Sequence, residues 1–123
     1  MSRHILVVDD HEENRLILHD LLDGTGFEVI EAVTGEEAVQ LAGEHLPDLI
    51  LMDIQLPGID GYEATGRIRG NPALAKTPII AVTSYALSGE EAKALAAGCD
   101  AYVAKPYSPR ALLARIREYL GAP

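Results

Sequence analysis

The chain of 123 residues has one cysteine, few basic residues and no long apolar run, and each shortage closes off a class of protein. Cys99 alone can form no internal disulfide and, with no second thiol, no thiolate metal cluster. It reads as a small buried residue. No apolar stretch approaches the roughly 18 residues that a membrane span requires, and the opening MSRHILVV lacks the apolar centre and small-residue cleavage site of a signal peptide. The expectation is a cytoplasmic protein with no membrane association. Ten lysines and arginines stand scattered against 19 acidic residues, a net charge of −9, which disfavours binding to nucleic-acid backbones. Low-complexity tracts are missing too, and 48% hydrophobic with 24% charged residues is the composition of a folded chain. The length suits one domain, spanning 1–123, with one ordinary core.

What is present is an alternation of short apolar runs with longer amphipathic ones, five times over, the pattern of a βα repeat. Strands are predicted at HILVV (4–8), FEVIEA (27–32), DLILMD (48–53), PIIAVT (78–83) and DAYVAK (100–105), each followed by a helix. In the first helix Ile17, Leu18, Leu21 and Leu22 form the stripe expected to face the core, and in the last Leu112, Ile116 and Leu120 do so. Thr34-Gly-Glu-Glu37 and Ser88-Gly-Glu-Glu91 fit the S/T-x-x-E capping box, and Ser108-Pro109 fits an N-cap with proline at the first helical position. Gly24, Gly26, Gly70 and Gly98 stand where helices should stop.

The runs ILVV, LILM and PIIAV are almost continuously apolar, as parallel strands covered on both faces must be, whereas FEVIEA and DAYVAK carry polar alternation and read as edges. With right-handed crossovers this gives an α/β fold, (βα)5, with a doubly wound five-stranded parallel sheet in the order 2-1-3-4-5, a flavodoxin-like three-layer sandwich. Its switch point lies between strands 1 and 3, outside their C-terminal ends, where ligands of such sheets bind.

The strand ends predicted at that edge are Asp9-Asp10, Asp53, Thr83-Ser84 and Lys105. Three carboxylates in one cleft repel unless a cation joins them, and a hard divalent ion with oxygen ligands, Mg²⁺, suits the set. A lysine and a hydroxyl beside it supply what phosphate oxygens need. A carboxylate can itself be the nucleophile of phosphoryl transfer, and Asp53, on a central strand between the acidic pair and the Thr83/Lys105 side, is the best placed. Asp10 has a second reading, because Asp10-x-x-Glu13 also fits a capping box.

VVDD before a helix, then LILMDIQLPGIDG, then AVTS, then KP resembles the receiver domain of two-component response regulators, over Arg3 to Leu120. The resemblance implies that Asp53 accepts phosphate from a histidine kinase or histidine phosphotransfer protein. It implies that Asp10 and the Gln55 backbone carbonyl ligate Mg²⁺ while Asp9 orients a metal-bound water, and that Thr83 and Lys105 hold the phosphoryl oxygens. Tyr102 falls where the family has its aromatic switch, and Lys105-Pro106 where it commonly has a cis peptide. Gln55 and Tyr85 hold positions that tune phosphate lifetime. Tyr107 is either a partner anchor or a surface turn residue.

The expected function is a stand-alone, non-enzymatic signalling switch, monomeric or weakly dimeric, whose phosphorylation changes the docking of an effector protein on the face of helix 4, strand 5 and helix 5. Met1 and an end just after the last helix favour a stand-alone protein over a receiver cut from a hybrid histidine kinase. A haloacid-dehalogenase-type phosphatase would want a second aspartate where Gln55 stands. A flavin carrier on the same fold would want a hydroxyl- and glycine-rich loop where DDHEEN stands.

Overall fold

The computed structural model describes residues 3–83 and 89–121. The repeat resolves into β1 (Arg3–Val8), α1 (Glu12–Leu22), β2 (Phe27–Ala32), α2 (Gly35–His45), β3 (Leu49–Asp53), α3 (Gly61–Arg69), β4 (Ile79–Thr83), α4 (Glu90–Ala97), β5 (Ala101–Ala104) and α5 (Pro109–Leu120), with a 3₁₀ turn at Pro72–Leu74. The strands pair in parallel in the order β2-β1-β3-β4-β5. Every residue of β3 and β4 is buried, as their unbroken apolar runs require, while edge strand β2 turns Glu28 and Glu31 to solvent.

Alternation along the strands divides the core into two layers. Leu6, Val8, Ile50, Met52, Ile79 and Ala81 face one side, against Ala38 and Ala42 of α2, Ala64 and Ile68 of α3 and Ala94 of α4. Their neighbours Ile5, Val7, Leu49, Leu51, Ile80 and Val82 face the other, against Leu18 and Leu22 of α1 and Leu112 and Ile116 of α5. Small residues on α2, α3 and α4 let those helices lie close to the sheet. Truncating a fully enclosed member such as Ile80 to alanine should cost about 2–5 kcal/mol.

Two local expectations fail. Ile17 is 50% exposed. Leu18 and Leu22 set the inward direction of α1, and a residue 100° away points along its flank. Asp10 does not cap α1 either: the N-cap is His11, whose side chain makes no capping bond. Elsewhere the caps form. Thr34 accepts from Glu37 N at 3.0 Å, the Glu37 carboxylate reaches back to Val33 N at 2.7 Å, and Ser108 accepts from Ala111 N at 3.3 Å. Helix α4 starts from Gly89, at φ +92°, with Glu91 in its first turn. Ser88, Ser84 and Tyr85 lie outside the described residues.

At the amino-terminal end of the sheet Arg69 gathers the connections. Its Nε donates to Gly98 O at 3.0 Å, Nη1 to Leu74 O at 2.9 Å and Thr77 O at 2.6 Å, and Nη2 to Asp100 at 2.8 Å. The same Asp100 oxygen accepts from Ile79 N at 2.8 Å. Gly98, at φ +114°, closes α4 in a left-handed conformation that leaves room for this arginine, since a Cβ there would stand 3.0 Å from Arg69 Cγ.

Candidate functional site

The carboxyl ends of β1, β3, β4 and β5 place the site. Asp9 follows the last residue of β1, Asp53 is the last of β3, Thr83 the last of β4, and Lys105 follows β5. Asp9, Asp53 and Thr83 are 3%, 4% and 0% exposed, so three polar side chains are enclosed at one sheet edge. Behind Asp53, Gly61 lets α3 start close against the loop: a Cβ there would lie 2.4 Å from the Asp53 carbonyl oxygen and 2.7 Å from Ile54 Cα. Only glycine fits, so the helix start helps hold the aspartate.

Lys105 Nζ bridges the two buried carboxylates, 3.0 Å from Asp9 Oδ2 and 3.3 Å from Asp53 Oδ2. Asp53 Oδ1 accepts from Gln55 N at 3.1 Å, and Asp9 Oδ1 accepts from His11 N at 2.9 Å. Burial, helped by the Asp9 charge, pushes the Asp53 carboxyl above its ordinary value against the opposing pull of Lys105. Burial works against the Lys105 ammonium too, yet its hydrogen bond to Asp9 and the Asp53 charge outweigh it and raise the lysine. The Lys105 backbone N–H donates to Thr83 O at 2.7 Å, which fixes the lysine beside the buried hydroxyl. The Lys105-Pro106 peptide is cis.

Asp10 stands apart. Its Oδ1 is buried with no hydrogen-bond partner among the described residues, and although His11 Nδ1 comes within 3.1 Å it lacks hydrogen-bond geometry. Burying an uncompensated carboxylate oxygen costs on the order of 1–3 kcal/mol or more, so the arrangement calls for a positive partner. Asp9, Asp10, Asp53 and His11 each present one ligand atom within 4.8 Å of all the others. An orphaned carboxylate oxygen amid hard oxygen donors fits a divalent cation.

The structure thus brings together Asp9, Asp10, Asp53 and Lys105, with Thr83 at the adjoining strand end and Gln55 reaching the site through its backbone. Tyr102 lies on β5, half-buried against the helix α2–α4 layer. Its phenol is pushed up first by burial and then by the charges of Glu90 and Glu91. Tyr107 is half-buried against the opposite layer. The sequence reading passed over His11, although its place directly after the acidic pair was a signal. It also passed over Tyr62, whose hydroxyl on α3 donates to Glu90 at the start of α4.

Residues 5–117 match the response regulator receiver domain. The chain belongs to that family, whose members act as signalling switches in two-component systems. It is 42% identical over 121 residues to the polar-differentiation response regulator DivK of Brucella ovis, covering 98% of each chain. Among solved structures it resembles the receiver domain of the sensor histidine kinase PA1611 of Pseudomonas aeruginosa PAO1, with a TM-score of 0.90, 35% identity and coverage of 99% of this chain and 100% of that one. That domain carries a magnesium ion in its active site cleft. The chemotaxis protein CheY4 of Vibrio cholerae superposes with a TM-score of 0.91 at 27% identity, over 97% of this chain and 99% of that one. The acidic pocket of Asp9, Asp10 and Asp53 suits Mg²⁺ and phosphorylation. No helix among the described residues is long and apolar enough to cross a membrane.

Proposed function

We propose that the protein is a cytoplasmic switch that takes a phosphoryl group on Asp53 from a histidine kinase or histidine phosphotransfer protein. The observation that carries this is the ammonium of Lys105 shared between two buried carboxylates beside an orphaned third. The P–N bond of the donor phosphohistidine breaks as an Asp53 oxygen bonds to phosphorus, giving an acyl phosphate and returning the imidazole to the donor. Asp9, Asp10, Asp53 and the Gln55 backbone carbonyl would hold Mg²⁺, which supplies charge neutralisation for the phosphoryl oxygens. Lys105 leaves Asp53 to meet a phosphoryl oxygen, and Thr83 gives its hydroxyl to another. Tyr102 then turns toward the space the hydroxyl left, and the surface of α4, β5 and α5 changes its affinity for an effector protein.

Intact-mass analysis after incubation with Mg²⁺ and a small acyl-phosphate donor is expected to show one added phosphoryl group, mapped to Asp53. Stoichiometric uptake by Asp53→Asn would remove the assignment. A second reading, a receiver belonging to a hybrid histidine kinase, draws support from the likeness to the kinase-derived PA1611 domain. It shares the chemistry and differs only in what the domain is joined to.

A further inference from the structure

His11 follows the acidic pair and has no part in the phosphoryl chemistry above. Its Nδ1 lies 3.1 Å from Asp10 Oδ1 and 3.4 Å from Asp9 Oδ1. Donors in adjacent positions around one six-coordinate ion, with bonds of about 2.1 Å, stand roughly 3.0 Å apart, and opposite donors roughly 4.2 Å. Toward Asp9 and Asp10 the ring nitrogen therefore already stands at about the spacing of neighbouring ligands on one ion.

The ring's hydrogen-bond contact is a long one, Nδ1 to Asp9 Oδ1 at 3.4 Å, to an oxygen that already accepts from His11 N at 2.9 Å. The ring makes no capping bond to α1, and at 67% exposed it adds little to the core. Its approach to Asp10 leaves that oxygen without a hydrogen bond. We propose that His11 Nδ1 is a nitrogen donor to the cation in this pocket, which strengthens binding of a borderline ion such as Ni²⁺ far more than binding of the hard ions Mg²⁺ and Mn²⁺. This rests on reading the acidic pocket as a cation site. Imidazole adds little to binding of a hard ion that favours oxygen, and progressively more along the first transition row. Binding through Nδ1 keeps the ring proton on Nε2, which solvent can accept from the exposed ring.

Calorimetric titration with Mg²⁺, Mn²⁺ and Ni²⁺, together with pulsed EPR of the Mn²⁺-loaded protein, tests it on the parent, His11→Ala and Asp10→Asn. Alanine removes the imidazole without removing a capping bond. His11→Ala is expected to weaken Ni²⁺ binding on the order of tenfold or more while Mg²⁺ affinity changes by no more than about twofold. Nitrogen coupling to Mn²⁺ is expected in the parent and absent in His11→Ala. Three results overturn the proposal: no directly bound nitrogen in the parent, a nitrogen signal that survives His11→Ala, or equal weakening of Mg²⁺ and Ni²⁺. If the parent binds no divalent ion, or if Asp10→Asn binds all three like the parent, the cation-site reading itself fails and the proposal falls with it.

Discussion

Replacing Asp10 by asparagine should stabilise the metal-free protein. Ligand atoms of Asp10, Asp9 and Asp53 lie within 4.8 Å of one another. At that separation Coulomb's law gives roughly 2–3 kcal/mol per like-charged pair for an effective dielectric of about 20–40. Asp10 enters two such pairs, and the Lys105 ammonium, held by the other two carboxylates, offsets about one. The remaining repulsion must be discounted again, because the Asp10 side chain is 29% exposed and solvent screens it. A net gain of about 1 kcal/mol for Asp10→Asn is left, and the amide can also donate where the carboxylate oxygen had no partner. In urea melts with chelator at low salt, that moves the midpoint up by about 0.3–1 M for ordinary values of m. Added salt should shrink the shift. In the parent, Mg²⁺ at ten times its Kd should add about 1.4 kcal/mol by mass action, and the variant should lose most of that. A variant that is neutral or destabilised in chelator, and that responds to Mg²⁺ like the parent, would refute the crowded-carboxylate argument. A lost helix cap cannot explain either outcome, since His11 is the cap.

Lys105→Met strips two buried carboxylates of their shared counter-ion, so in chelator it should lower stability by about 2 kcal/mol, with part recovered in millimolar Mg²⁺. Thermal melts matching the parent in both conditions would contradict the bridge. Tyr62→Phe tests the contact between α3 and α4. The Tyr62 hydroxyl, with a smaller contribution from Lys93, holds Glu90 below its ordinary value of 4.5, so the stability this bond contributes is present above that value and lost as pH falls through the folded one. The variant should therefore be less stable than the parent at neutral pH, with the gap in urea midpoints closing in acid. A gap that does not change with pH would assign the effect to ring packing alone.

Much of this architecture could be read from the residues because burial writes it there. A strand covered on both faces has little place for polar residues along its length, so LILM and PIIAV announced the centre of the sheet, and the glutamates of FEVIEA announced an edge. Order then followed, and with it the meeting of Asp9, Asp10, Asp53 and Lys105 from positions nearly a hundred residues apart. Local detail was less legible. Ile17 matches the apolar pattern of α1 as well as Leu18 does, and only the direction of docking tells which is covered. Asp10-x-x-Glu13 satisfies the capping pattern, but the chain enters α1 one residue later. The Tyr62–Glu90 bond depends on how two helices turn toward each other, which no spacing along the chain encodes.

The Arg69 fork has a mechanical consequence. Its acceptors belong to the turn after α3, the approach to β4 and the approach to β5, and Asp100 passes the link on to the first residue of β4. One planar cation thus rivets backbone carbonyls at the amino-terminal rim of the sheet beside β4 and β5, while at the opposite rim the Lys105 ammonium ties the side chains of Asp9 and Asp53. The clamp on the backbone lies at the rim opposite the chemistry, and the tie at the chemical end runs through side chains whose partners phosphorylation would exchange. A lysine at position 69 would keep the charge but not the fork, and would loosen the clamp rather than the tie.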